Sequence, residues 1–285
     1  MKTISKRLLS LFIISLTVIL VMTSCKDDDG GDPVAPTNEE LDAQTIALVE
    51  ETAMTESVEE EIDQSIEEAV AYSEDSAASS STCATVTVTP EGISFPKTIT
   101  IDYGEGCESI TGKTRKGSIT ISISDTLRNP GASYSITFNN YMIEGILVTG
   151  NKTVENTGTK DAPSFSETVD FTLTTSDGTV IEKTKNTTRQ WIEGMDTYAL
   201  FDDVFLISGS AQVTSSAGRS YSYTITEPLK VSRICSNVLS GVIEVTWSGQ
   251  DEPVTIDFGE GICDLKVYVS RGRRIIRRQL FIRGL

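Results

Sequence analysis

The chain has no histidine in its 285 residues. That removes Ser-His-Asp and Cys-His catalysis, imidazole acid–base chemistry and His-ligated zinc. Cysteine is scarce, at five residues, and no two are spaced C-x-x-C. Metal ligation through thiolates is therefore disfavoured. Basic residues are nearly missing from one stretch: residues 26–76 hold 18 acids and a single base, Lys26. Such a stretch argues against nucleic acid, whose phosphates are bound by clustered Lys and Arg. Carboxylate-based chemistry and oxygen-ligated calcium survive these exclusions.

The first 32 residues carry the clearest signal. Lys2, Lys6 and Arg7 precede a 15-residue apolar run, Leu8 to Met22, broken by Ser10, Ser15 and Thr17. The run is short of the ~20 residues a membrane-spanning helix needs and fits a secretory signal. Met22-Thr23-Ser24-Cys25 then resembles the lipobox of bacterial lipoproteins. The resemblance implies cleavage before Cys25 and acylation of that residue. The following Lys26-Asp27-Asp28-Asp29-Gly30-Gly31-Asp32 resembles the acidic export signal of Bacteroidota-type surface lipoproteins. It implies an outer-membrane, lipid-anchored protein exposed at the cell surface. The plain alternative is a solvated, flexible tether.

The charge is uneven downstream. Residues 77–285 hold 20 bases against 23 acids, so the acidity belongs to one segment. The C-terminal stretch 264–285 reverses the sign, with Lys266, Arg271, Arg273, Arg274, Arg277, Arg278 and Arg283 against Asp264. A phosphate contact is one reading of that end. A solvated last strand, or a face pairing with the acidic segment, is the other.

Apart from Cys25 the cysteines are Cys83, Cys107, Cys235 and Cys263, an even number that suggests disulfides in an exported protein. Thr98-Ile99-Thr100-Ile101-Asp102-Tyr103-Gly104-Glu105-Gly106-Cys107 closely matches Val254-Thr255-Ile256-Asp257-Phe258-Gly259-Glu260-Gly261-Ile262-Cys263. Each copy has a cysteine upstream, so the simplest of three pairings is Cys83–Cys107 and Cys235–Cys263. Each bridge would close a strand–turn–strand loop, worth about 3 kcal/mol in the chain-entropy model. The Asp-aromatic-Gly-Glu-Gly motif is similar to the strand end of polycystic-kidney-disease-type repeats, whose downstream pattern is absent. The duplicated IDYGEGC/IDFGEGIC segment more closely resembles an uncharacterised family of Bacteroidota-type surface lipoproteins. That resemblance implies fold and location and carries no activity with it.

The expected organisation is a signal peptide at 1–24, a lipidated Cys25 and acidic tether at 25–36, and an acidic helical segment with linker at 37–80. Two related β modules follow at 81–160 and 161–285, with a soft boundary in Asn156–Pro163. Thr37 to Glu40 and Ser57 to Glu60 each fit a capping box, predicting two helix starts. Val58, Ile62, Ile66 and Val70 form a narrow apolar stripe, read as packing along the β body or, more sharply, as a coiled-coil seam. From Cys83 onward alternation of the kind seen in Ser118-Ile119-Thr120-Ile121-Ser122-Ile123-Ser124 predicts 14–18 short antiparallel strands. The fold class is thus mainly β: two sandwich-like modules behind a short acidic helix, or one continuous elongated sheet stack.

Candidate sites are few. Asp102 and Glu105, with Asp257, Glu260 and Asp264, are the best carboxylate groupings for calcium, the one cofactor these residues suggest; turn chemistry is the plain reading. Trp191 is the candidate for stacking on a glycan, with Trp247, Tyr141, Tyr198, Tyr221 and Tyr223 as companions; core packing is the alternative. Ser76 and Thr126 fit a short Asp-Ser/Thr-apolar O-glycosylation pattern. These features predict a non-enzymatic binding or interaction module, held to the membrane by its lipid. Its partner would be a glycan, a host or matrix protein, or an outer-membrane complex. A structural envelope or fimbria-like subunit is the first rival, and a carboxylate-based carbohydrate hydrolase the second.

Overall fold

The computed structural model describes residues 43–74, 83–108, 112–197, 202–249, 251–263 and 266–279, all within one compact unit. One helix, α1 (Ala43–Glu74), precedes fourteen strands. They are β1 (Thr85–Thr89), β2 (Lys97–Asp102), β3 (Cys107–Glu108), β4 (Thr114–Ile123), β5 (Ser133–Ile143), β6 (Ile146–Asn156) and β7 (Ser164–Thr174). Then follow β8 (Val180–Glu193), β9 (Val204–Ser215), β10 (Arg219–Ser232), β11 (Cys235–Trp247), β12 (Val254–Glu260), β13 (Lys266–Arg271) and β14 (Arg274–Gln279). The fold is mainly β, as expected, and every strand but β3 lies on a single antiparallel meander in chain order; β3 pairs β4 alone. The expected boundary at 156–164 is the tight connection between β6 and β7, which pair along ten residues from Leu147–Thr174 to Asn156–Phe165. The two related segments are therefore the two ends of one sheet.

This sheet is curled around the helix. On a flat sheet β4 and β10, six spacings apart, would lie about 29 Å from each other. Yet consecutive helix residues reach both: Glu61 pairs with Arg115 of β4, and Glu60 pairs with Arg233, directly after β10. Only a rolled sheet brings both to one turn of a helix about 10–12 Å wide. From Glu51 to Ser73 no helix residue is exposed. The roll leaves its edge strands, β1 and β14, each paired on one side among the described residues.

Period-two alternation supplies the core. Ile99, Ile101, Ile119, Ile121, Ile123, Ile136, Val148, Phe171, Val245 and Val254 point inward and are almost fully buried, while Ser and Thr between them face outward. The outward face is polar, whereas a bilayer-spanning barrel carries an apolar outer band. No described helix is long and apolar enough to cross a membrane.

Two helix starts were expected; there is one continuous helix. Ser57 lies inside it, so its capping-box pattern is coincidental. Val58, Ile62 and Ile66 are fully buried and Val70 nearly so, in the common core with the strands. The stripe packs on the β body, and the coiled-coil reading falls. The Thr37 capping box lies outside the described residues.

Curling needs local breaks in the ladder, and glycine supplies them. Gly150, at φ +111°, sits where a Cβ would lie 2.0 Å from the Asp170 carbonyl oxygen. Gly209, at φ +133°, would place one 2.3 Å from the Asn186 carbonyl. Both let neighbouring strands approach and coil more sharply than Cβ-bearing residues allow. Gly145 has φ +80° but nothing within 4 Å of its missing Cβ. Gly145→Ala should therefore cost about 1 kcal/mol from backbone strain, and Gly150→Ala clearly more, read as the difference in urea midpoints. Equal losses would show that close strand approach is not what Gly150 provides.

Candidate functional site

The acidic helix is not a free polyanion. Its carboxylates meet cations projected inward from the sheet. Lys152 of β6, fully buried, donates to Asp63 at 2.7 and 2.9 Å and to Glu167 of β7 at 3.3 Å, with Glu59 at 3.7 Å. Lys183 and Lys185 of β8 both reach Glu56 and Glu59. Arg189 lies 3.1 Å from Asp63. Arg233 pairs with Glu60 at 2.6 Å and with Glu67. Near the start of β4, Lys113 and Arg115 hold Glu61, and at the start of β10 Arg219 holds Glu51. Seven helix acids and Glu167 thus face eight cations, so the charge within these pairs balances.

Proton affinities follow from this packing. Burial alone would depress the Lys152 ammonium, but Asp63 and Glu167 outweigh it and hold its pKa well above the usual lysine value. Burial pushes the Glu59 carboxyl up, yet Lys183, Lys185 and Lys152 win and keep it well below the ordinary range. At Glu60 burial prevails over Arg233 and Arg189, and the pKa rises. Asp203, at the foot of β9, is pushed up to about 7 by burial and by the neighbouring Glu67.

Glu59, Asp63 and Glu167 are, among the described residues, the one group of three acids whose oxygens lie within 4.8 Å of one another. The Lys152 ammonium occupies the position a cation would take. The sequence-predicted calcium acids lie elsewhere. Asp102 accepts from the Gly104 N–H at 2.8 Å and Asp257 from the Gly259 N–H at 2.8 Å. The duplicated motif therefore closes the same Asp-capped glycine turn twice, with positive φ at Gly104, Gly106, Gly259 and Gly261. Glu105 and Glu260 are exposed. Asp264 lies outside the described residues, as do Cys25, Ser76 and Tyr198.

Both disulfides form as paired from the repeat, Cys83–Cys107 and Cys235–Cys263. Trp191 is half-buried against the core. The Arg128 guanidinium covers its ring at 4.7 Å, Phe205 lies 5.7 Å away, and its indole N–H donates to the Glu193 carbonyl at 2.7 Å. That ring is engaged by the protein rather than laid open as a sugar platform. Tyr141, Tyr221 and Tyr223 are buried, and Trp247 packs under Arg271. Thr126 sits half-buried in the turn after β4, its N–H bonded to Asp125.

The feature that residue-by-residue reading missed is on the outer face. Register sets Thr89, Thr98, Ser122, Ser135, Thr153 and Thr168 side by side on consecutive strands. The row continues through Asn186, Ser210, Thr224, Glu244, Thr255 and Ser270. Twelve strands thus carry one unbroken polar rung with ten hydroxyls. Across β2, β4, β5, β6 and β7 the row lies in a trough of about 600 Å³. Besides the row, Ser124, Ser133, Ser166 and Glu155 line it. A second, interior space of about 100 Å³ lies between α1 and β7–β13. The Ser/Thr alternation was a visible signal; strand register, which aligns the hydroxyls, was not.

No protein-family model, curated protein or solved structure matches the chain.

Lys152→Met should cost about 3–5 kcal/mol in equilibrium unfolding, because it strands buried carboxylates. Lys230→Met, which breaks an exposed pair with Glu193 at 3.4 Å, should cost under about 1 kcal/mol. For Asp203 the folded pKa, about 7, exceeds the ordinary value of 3.8. The folded state then binds more protons between those values, and stability falls as pH rises through that window. Asp203→Asn should be more stable than the parent at pH 8, and the gap should shrink steadily toward pH 4 in paired thermal melts. A pH-independent gap would refute the assignment.

Proposed function

We propose that the chain is a lipid-anchored protein of the outer membrane, exposed at the cell surface, that works as a non-enzymatic binding module through the outer face of its sheet. The signal, Cys25 and the acidic Asp27–Asp32 stretch support the address. The trough supports the mode of action, because it is open, lined by hydroxyls from adjacent strands, and Glu155 is the single carboxylate lining it. Hydrolysis of a glycosidic bond generally needs two carboxylates across a cleft. Seven acids of the helix, with Glu167, are paired with cations inside the roll, so the chemistry the trough offers outward is hydrogen bonding from a rigid scaffold. A glycan, a host or matrix protein, or a neighbouring outer-membrane complex are the partners such a face suits.

A structural role has one observation in its favour: β1 and β14 end the sheet with one side unpaired among the described residues, which suits strand addition between copies. Protease treatment of intact cells separates the main claim from its failure. The protein should be shaved while a periplasmic control survives; full protection would refute surface display. Light scattering on the purified protein should show a monomer, and growth of chains with concentration would favour the structural role instead.

A further inference from the structure

We propose that the outer-face trough binds a neutral, linear polysaccharide laid across the strands; this inference rests on the reading of the chain as a surface binding module. Shape is the first argument. Five strands at about 4.8 Å give a run of roughly 19 Å, long enough for several sugar units and too long for one. The trough is open, so it suits an extended polymer rather than an enclosed small molecule.

Chemistry is the second argument. Thr98, Ser122, Ser135, Thr153, Ser166 and Thr168 present hydroxyls from adjacent strands, and a hydroxyl both donates and accepts. Sugar hydroxyls do the same, so pairing works in either sense along the row. A peptide adding as a strand would need unpaired backbone N–H and C=O groups. Here β2, β4, β5, β6 and β7 are paired on both sides, so the trough offers side chains only.

Charge is the third argument. Glu155 is the one carboxylate among the lining residues, and the one cation, Lys97, is buried and turned inward to the Ser73 carbonyl. A phosphorylated or sulfated polymer would find no counter-charge, whereas a neutral one loses nothing. Tyr134 is the sole aromatic at the trough and is buried on the inner side. Binding therefore rests on hydrogen bonds, each of modest net value in water. A repeating ligand compensates by engaging many at once, and the same row runs on through Asn186 and Ser210.

The test uses the full-length protein in detergent on sensors coated with dextran, mannan, xylan or mixed-linkage β-glucan, with dextran sulfate as the charged comparison. At least one neutral polymer should bind. The variant T98V/T153V/T168V keeps β-branched shape while removing three hydroxyls, and should weaken binding at least about tenfold. The variant T184V/T214V/T246V, on another part of the same outer face, should match the parent. Thermal melts confirm that both are folded. Failure to bind any neutral polymer, stronger binding to dextran sulfate, or equal effects of the two variants would overturn the proposal. If no polymer binds while protease still shaves the protein from cells, the polysaccharide is wrong and surface display stands. If the protein is protected in cells, the surface reading has failed on its own.

Discussion

Charge matching between one helix and the sheet wrapped around it is the constraint on which the rest of the structure depends. Helix α1 carries Glu56, Glu59, Glu60, Asp63 and Glu67 at spacings that repel in isolation. The sheet carries Lys152, Lys183, Lys185 and Arg189 on the face that must be buried. Neither part is stable with these charges facing a dry interior unpaired. Together they neutralise, and the apolar stripe from Val58 to Val70 is sealed in the same act. The match also fixes registry: sliding the helix by one turn, about 5.4 Å, would set each carboxylate against the wrong strand.

That interior has a consequence for function. A rolled sheet usually offers its inside as a ligand cavity, but here a helix and its ion pairs fill it, leaving a space of about 100 Å³. What remains for a partner is the outside. The acidity concentrated in residues 26–76 also changes meaning, because seven of those acids are spent inside. Eight acids and eight cations cancel in those pairs, so the net charge of −17 is carried by the residues outside them.

Much of the architecture was legible. Alternation marked the strands because a half-buried strand exposes every second residue. The duplicated Asp-aromatic-Gly-Glu-Gly-Cys motif predicted both disulfides and both glycine turns, since Asp102 and Asp257 each bond the N–H two residues ahead. The same duplication misled on domain count. Two similar segments suggested two bodies, but nothing in a local motif reports that β6 and β7 pair without interruption between them. The second capping box misled for a related reason: Ser57 and Glu60 satisfy a local pattern, yet tertiary burial keeps the helix running through them.

The sequence by itself determined the strands, their inward and outward residues, the disulfide pairs and the turns, because each follows from near neighbours along the chain. Tertiary structure alone decided that the acidic segment is a core element, that Lys152 stands where three carboxylates converge, and that polar side chains from twelve strands, ten of them hydroxyls, line up in one row. The third follows from register passed from strand to strand, and the first two rest on contacts between residues some 90 to 170 positions apart, such as Asp63 with Lys152 or Glu60 with Arg233. Only the roll of the sheet brings such pairs together.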